Sequence, residues 1–347
     1  MKGIATTRRI YRLGSLSIGI APRVLLINVV LLFMVIVLAV SLLMLGRMSL
    51  SPAQVIEVLV APQSTGIEGR IVWGIRLPRV LTGLFAGAAL GVSGAIFQSI
   101  SRNALGSPDI IGFTTGSATG AIAYIVLVGQ HTLGILLATV ASGTLTALVV
   151  YLLARRQGQV DSYRLVLIGI GVGATLSALN SLLLVKGNLD SAVQANVWLA
   201  GSLNARHWIH ALPPLIGTLT LLPIALYAAR ALSMIEMGDD VSRQLGVSVE
   251  RTRRSMIFCG VVLAALATGA VGPIAFIALA APQLITRLTR TPGVPILGAA
   301  VMGAALLLSA DLITQYLPGQ LILPIGRITA IAGGIYLLWL LTRRHPR

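Results

Sequence analysis

The chain offers few side chains able to make or break bonds, and their spacing argues against covalent chemistry. Its four histidines, His131, His207, His210 and His345, form no His-Glu-x-x-His arrangement and lie in or near connecting segments, where they read as solvated rather than metal-bound. Cys259 is the single cysteine and sits in an apolar run, so neither an internal disulfide nor a cysteine metal cluster can form. Lys2 and Lys186 are the only lysines, and neither stands in the Gly-x-x-x-x-Gly-Lys-Ser/Thr loop that cradles nucleotide phosphates. A proton-coupled carrier needs ionisable groups deep in its apolar segments. Asp311 is the main such group, and it reads as an interfacial acid paired with Arg327 or held at a helix end.

Two groups of charged residues stand out by spacing. Segment 232–255 reads LSMIEMGDDVSRQLGVSVERTRRS and separates two apolar runs. Asp239 and Asp240 sit where the positive end of a short helix favours acids, and Gly246 sits where a helix ends in a left-handed residue. Ser248 could cap a second short helix carrying Glu250, Arg251 and Arg253. Two short helices would make a rigid knob able to transmit force; the alternative is an ordinary solvated loop. Elsewhere, Arg76 and Arg79 flank Leu77-Pro78 at the mouth of an apolar run. They could hold lipid headgroups or, through the fork geometry of guanidinium, receive the acids of a docking protein.

The elements that must position these groups are membrane helices. Of 347 residues, 56% are hydrophobic and 10% charged, with mean hydropathy +0.91, whereas soluble domains are about 25% charged. Against a need for roughly 20 mostly apolar residues per span, ten stretches read as spans: 24–45, 80–100, 110–128, 133–154, 165–185, 211–231, 255–271, 273–290, 295–313 and 326–342. Gly272-Pro273 either separates two short helices or breaks one long one, and protein or a cavity must then cover the irregular backbone. Gly83, Gly87, Gly91 and again Gly112, Gly116, Gly120 recur every fourth residue, a spacing that lets another helix approach closely.

The net charge of +16 resides in the connections, with no basic stripe interleaved with aromatics, which excludes nucleic acid as a partner. With ten spans, 19 lysines and arginines share the side of both termini and 7 lie opposite, so both termini are expected in the cytoplasm. The predicted organisation is a cytoplasmic segment 1–23, a membrane domain 24–342 with a cytoplasmic loop 232–255, and a tail 343–347. The first apolar run is too long for a signal-peptide core and is read as a retained span.

An ordered set of segments completes the reading: IRLPRVL at 75–81, GAALGVSGAIFQ at 87–98, NALGSPDIIGFTTGSATGA at 103–121, WLAGSLN at 198–204, the EMGDD…LGVSVERTR loop at 236–253, GPIAFIALAAPQLITRL at 272–288, Ala310-Asp311 and LPIGRITAIAGG at 323–334. From about Ser49 onward the chain resembles the iron-siderophore and vitamin B12 permeases of type II ABC importers, nearest to their ferric-enterobactin branch.

The resemblance implies an all-α, polytopic fold of about ten transmembrane helices in the bacterial inner membrane. It implies a second permease subunit, identical or homologous, a cytoplasmic ABC ATPase dimer, and a periplasmic or lipid-anchored siderophore-binding protein. The cargo would be a ferric siderophore of catecholate type, with no resident cofactor or metal and no catalysis on this chain. It places ATPase coupling at Glu236, Gly238, Asp239, Asp240, Arg243, Leu245 and Gly246, and docking of the binding protein at Arg76 and Arg79. Gln315 stands where some relatives carry a further basic residue. It also places the translocation path along Ser177, Asn180 and Ser181, for which helix-to-helix hydrogen bonding is the rival role. The alternatives are a secondary transporter of a small metal chelate and a cobalamin or heme permease of the same family.

Overall fold

The computed structural model describes residues 9–13, 16–46, 48–61, 66–109, 111–156, 159–160, 162–291, 293–316 and 323–342. Arg47, the extreme N-terminus and the 343–347 tail lie outside them. The helices are α1 (Pro22–Met44), α2 (Pro52–Val60), α3 (Gly66–Ile71), α4 (Leu77–Ser101), α5 (Phe113–Leu127), α6 (Thr132–Ala154), α7 (Ser162–Lys186), α8 (Leu189–Leu199), α9 (Trp208–Glu236), α10 (Asp239–Gln244), α11 (Val249–Val271), α12 (Ile277–Thr289), α13 (Ile296–Tyr316) and α14 (Ile325–Thr342). A π-helical turn, Val72–Arg76, joins α3 to α4 into one run. The body is all-helical, with two additions the sequence reading lacks: the antiparallel pair β1 (Arg9–Leu13) and β2 (Leu16–Ile20), and the two-residue pair β3 (Arg155–Arg156) and β4 (Gln159–Val160).

Among the described residues, seven helical runs are long and apolar enough to cross a membrane, and α5 and the start of α14 are shorter apolar helices. With 13 residues, α12 rises about 20 Å against a hydrocarbon core of about 30 Å. The long run at 255–289 is two helices. The chain leaves α11 at Gly272, Pro273 cannot donate a backbone hydrogen bond, and helix resumes at Ile277. The freed carbonyl of Val271 accepts from the Ser202 backbone N–H at 2.8 Å, so protein covers the break.

Helix α4 lies at the centre, buried along most of its length. Its glycine series does what its spacing predicts. A Cβ at Gly87 would overlap the Gly303 carbonyl, one at Gly91 the Ala299 carbonyl, and one at Gly94 the Ala278 carbonyl. Antiparallel α13 and the start of α12 thus meet α4 backbone to backbone. Small hydroxyls fasten the remaining faces: Ser93 Oγ donates to the Gly260 carbonyl of α11 at 2.7 Å, and Ser99 Oγ to the Leu232 carbonyl of α9 at 3.3 Å. The second series differs from the expected single stripe. Gly112 precedes α5 in a left-handed conformation and meets Gly169 and Gly173 of α7, whereas Gly116 and Gly120 face α6.

Filling the α4–α13 seam should therefore destabilise the bundle. Gly91→Ala presses a methyl against backbone that cannot rotate away, and overpacking of this kind costs about 1–3 kcal/mol or more. Gly74→Ala meets nothing within 4 Å and serves as the control. Thermal unfolding of the solubilised protein should show a lowered midpoint for the first variant alone.

Candidate functional site

Helix α10 stands at the bundle end where α4 and α9 finish and α11 begins. It is bracketed by glycines with positive φ, Gly238 at 120° and Gly246 at 83°, a region that other residues enter at a steric cost. Past its end, Gly246 N–H donates to the Arg243 carbonyl and Val247 N–H to the Ser242 carbonyl, both at 3.0 Å, which closes the helix with a Schellman pair. The expected second short helix is corrected. Residues 249–255 have no breaker after them, so Glu250, Arg251 and Arg253 lie on the first turns of the long α11. Ser248 occupies its N-cap without a side-chain cap bond.

The two sides of α10 differ. Inward, Ser242 is buried and its Oγ donates to the carbonyls of Met234 and Gly238, at 2.7 and 2.6 Å. Asp239 accepts from Arg253 Nη2 at 2.9 and 3.0 Å and also from Arg102. Arg253 is 1% exposed and donates from Nη1 to Glu250 at 2.9 Å. Val241 of α10 is 41% exposed, and Met237 at the C-cap of α9 and Leu245 at the C-cap of α10, which flank it, are 66% and 57% exposed. Asp240 and Arg243 pair with each other at 3.0 Å on this exposed side. Glu236, exposed at the end of α9, lines a polar cavity of about 350 Å³ with Ser99, Arg102 and Gln283. Arg102 and the burial of Arg253 are absent from the sequence reading, because their partners come from distant segments.

At the opposite end, Trp73 and Trp208 stack with ring centroids 6.1 Å apart, and Trp208 Nε1 donates to the Trp73 carbonyl at 3.0 Å. The two arginines of the RLPR segment are here, but both face inward. Arg76 is 8% exposed and its guanidinium donates to the carbonyls of Leu43 (2.6 Å), Met44 (3.2 Å) and Met48. It closes the C-terminal end of α1, whose last carbonyls have no intrahelical donor. Arg76, expected to dock the binding protein, thus has its guanidinium engaged by backbone carbonyls of its own chain. Arg79 forks onto Asp311, Nη2 to Oδ1 at 2.7 Å and Nε to Oδ2 at 3.1 Å. Asp311 thus pairs across to α4 rather than with Arg327, and Gln315 Nε2 also donates to it at 3.2 Å. The Asp311 side chain is fully enclosed, while Arg79 keeps 21% exposure. Nearby, Arg206 donates Nε to the Ser202 carbonyl at 3.0 Å; burial lowers its pKa to about 10, so it stays charged at neutral pH.

The three polar residues of α7 do not gather. Ser177 and Ser181 lie on the exposed face, Ser181 Oγ donating to the Ser177 carbonyl at 3.1 Å, whereas Asn180 is buried against the bundle with Oδ1 unpartnered. Among the described residues, no cluster of three or more His, Cys, Asp or Glu could hold a metal ion.

The model of the FecCD transport family matches residues 31–343. The chain belongs to this family. It is 46% identical over 304 residues to the ferric enterobactin transport system permease protein FepG of Escherichia coli (strain K12), covering 87% of this chain and 91% of that one. It is 33% identical to the cobalamin import system permease protein BtuC of Halobacterium salinarum, covering 80% of this chain and 74% of that one. A solved inward-facing metal-chelate type ABC transporter superposes with TM-score 0.81 at 29% identity, covering 91% of this chain and 98% of the solved one.

In this FecCD chain the Arg79–Asp311 pair is a structural bond between α4 and α13. Removing one partner of a buried pair costs about 3–5 kcal/mol. Asp311→Ala should lower the thermal unfolding midpoint, and Arg79→Met with Asp311→Leu should recover most of the loss. Additive effects in the double variant would argue against the pair.

Proposed function

We propose that this chain is the membrane-spanning permease subunit of an ABC importer for a ferric siderophore of catecholate type. The observation that carries this reading is α10: a short helix outside the apolar body, held by the ion pairs of Asp239, with exposed Val241 on it and exposed Met237 and Leu245 flanking its two ends. An exposed apolar row on a rigid mount fits a partner protein, and a chain with no phosphate-binding loop needs one to supply ATP hydrolysis. The exposed row, with Asp240 and Arg243 beside it, is proposed to seat on a cytoplasmic ATPase, which places the α10 end and both termini inside the cell. Ten crossings follow if α5, α12 and α14 each complete a traverse.

A second permease subunit, identical or homologous, is proposed against α7. Helix α1 exposes bulky groups such as Leu25, Leu26 and Phe33, as a lipid-facing helix does, whereas the exposed surface of α7 mixes Leu167, Ile170, Leu179, Leu182 and Val185 with Gly171, Ala174, Thr175, Ala178 and Ser181. Small and polar residues suit a helix partner or a solvated passage better than lipid. Ser177 and Ser181 then face the path, and Asn180 orients α7 from behind. Arg79, at the outer end with a side chain 21% exposed, is the arginine proposed to meet an acid of the siderophore-binding protein. The higher identity to FepG than to the cobalamin permease supports ferric catecholate as cargo.

Vesicles carrying this chain with its ATPase, partner permease and binding protein should take up ⁵⁵Fe-labelled ferric catecholate only when ATP is supplied. Leu245→Asp, which puts a charge into the proposed contact, should release the ATPase on co-purification and cut uptake about tenfold or more. Uptake without nucleotide would overturn the importer reading.

A further inference from the structure

Beyond its exposed surface, α10 is tied into the bundle at Asp239, whose geometry is that of a joint. Three helices meet at its carboxylate. Arg102 is the C-cap of α4, in the left-handed region at φ 48°, which turns its side chain out of the helix end. Arg253 lies on α11, 1% exposed, and grips both carboxylate oxygens of Asp239. Asp239 itself opens α10, and its side chain is 25% exposed. One acid, held by two arginines and supported by Glu250 on Arg253, is therefore turned toward the bundle and away from the exposed row of α10. The neighbouring Asp240 shows the opposite arrangement, with a side chain 92% exposed.

We propose that Asp239 is a positioning residue that locks α10 to the inner ends of α4 and α11, so that displacement of α10 moves both helices as one unit. The inference rests on the reading that α10 seats on an ATPase. It separates two tasks on that element: Met237, Val241 and Leu245 bind the partner, and Asp239 with Arg102 and Arg253 carries the motion inward. The helices it moves are central ones, since α4 contacts α11, α12 and α13 through its own backbone and small residues. A guanidinium–carboxylate pair suits this task because its paired, directional bonds resist both sliding and rotation.

The test uses the full complex in vesicles and measures ATPase retained per permease, ATP hydrolysed and iron taken up. Asp239→Asn should retain the ATPase at the wild-type ratio while uptake per ATP falls about tenfold. Arg102→Gln, a change at a 38% exposed side chain, should give the same loss. The double variant should be no worse than either single variant, since each breaks the same joint. Asp239→Glu should recover part of the coupling. If the Asp239→Asn permease itself fails to fold and insert, Arg102→Gln decides alone. Loss of the ATPase from these variants, an unchanged uptake per ATP, or multiplying losses in the double variant would overturn the joint. Absence of ATP-dependent uptake in the wild type would instead overturn the importer reading, and the two failures are distinguishable.

Discussion

The backbone-to-backbone approach of α4 to its neighbours is the constraint on which the rest of the molecule depends. Glycines at 87, 91 and 94 leave no volume for side chains between α4 and the carbonyls of α12 and α13. A helix packed this way has few internal adjustments open to it, because close-packed interfaces respond by moving as units rather than by deforming. Its polar fastenings are uncharged: serine hydroxyls to α11 and α9, the Gln98 amide to the Leu279 carbonyl of α12, and the Phe85 carbonyl accepting from Thr218 of α9. Full charges appear only where the packing ends. Arg79 near the first turn pairs with Asp311 of α13, and Arg102 just past the last turn pairs with Asp239 of α10. The centre of the bundle is thus a rod of about 37 Å, from 25 residues at 1.5 Å each, with an ion pair at either end.

The breaks in helical structure follow from the same need to satisfy backbone groups away from water. Where α11 stops at Gly272, the chain following α8 approaches closely enough for Ser202 N–H to take up the Val271 carbonyl, and Gly326 N–H reaches the Gly201 carbonyl at 3.4 Å. Arg76 performs a similar service for α1, donating to the carbonyls of Leu43 and Met44, the second of which also accepts from the Leu50 backbone N–H. An arginine in an apolar protein is often taken for a contact waiting for a partner. Here the carbonyls of a neighbouring helix end already supply the acceptors.

Much of this architecture was legible in the sequence because apolar length and breaker residues act locally. The stretches read as spans fall on helices, Gly246 closes α10, and the glycine pitch in α4 marks its close seam. Other features were hidden because they depend on which segments meet. The choice of Arg79 rather than Arg327 as partner of Asp311 requires α4 and α13 to lie antiparallel, in a register that Gly87 and Gly303 set by contact. Nothing near 253 in the sequence announces that Arg253 is enclosed while Arg251 and Arg254, its neighbours, are not. The second short helix expected after Gly246 failed for a local reason: from Val249 no glycine or proline interrupts the chain before Gly260, so the helix runs on into the apolar body. On α7, a spacing of one turn placed Ser177 and Ser181 together, but Asn180, about 100° round the helix from Ser181, is buried toward the bundle.

The division of labour around α10 has a physical logic. An interface that must take repeated loads needs a surface that recognises its partner and a mount that does not yield. Apolar side chains such as Met237, Val241 and Leu245 provide recognition through burial, which is non-directional and tolerates small changes of angle. A mount of the same kind would slip for that very reason. The carboxylate of Asp239 between two guanidinium groups is directional, and the burial of its partner Arg253 reduces screening of that pair by salt. Placing the ion pairs on the inner side of the helix and the apolar row on the outer side therefore gives a contact that can adapt on one face and a linkage that stays fixed on the other. The reverse arrangement would leave desolvated charge at the partner surface and a deformable seam where force must pass.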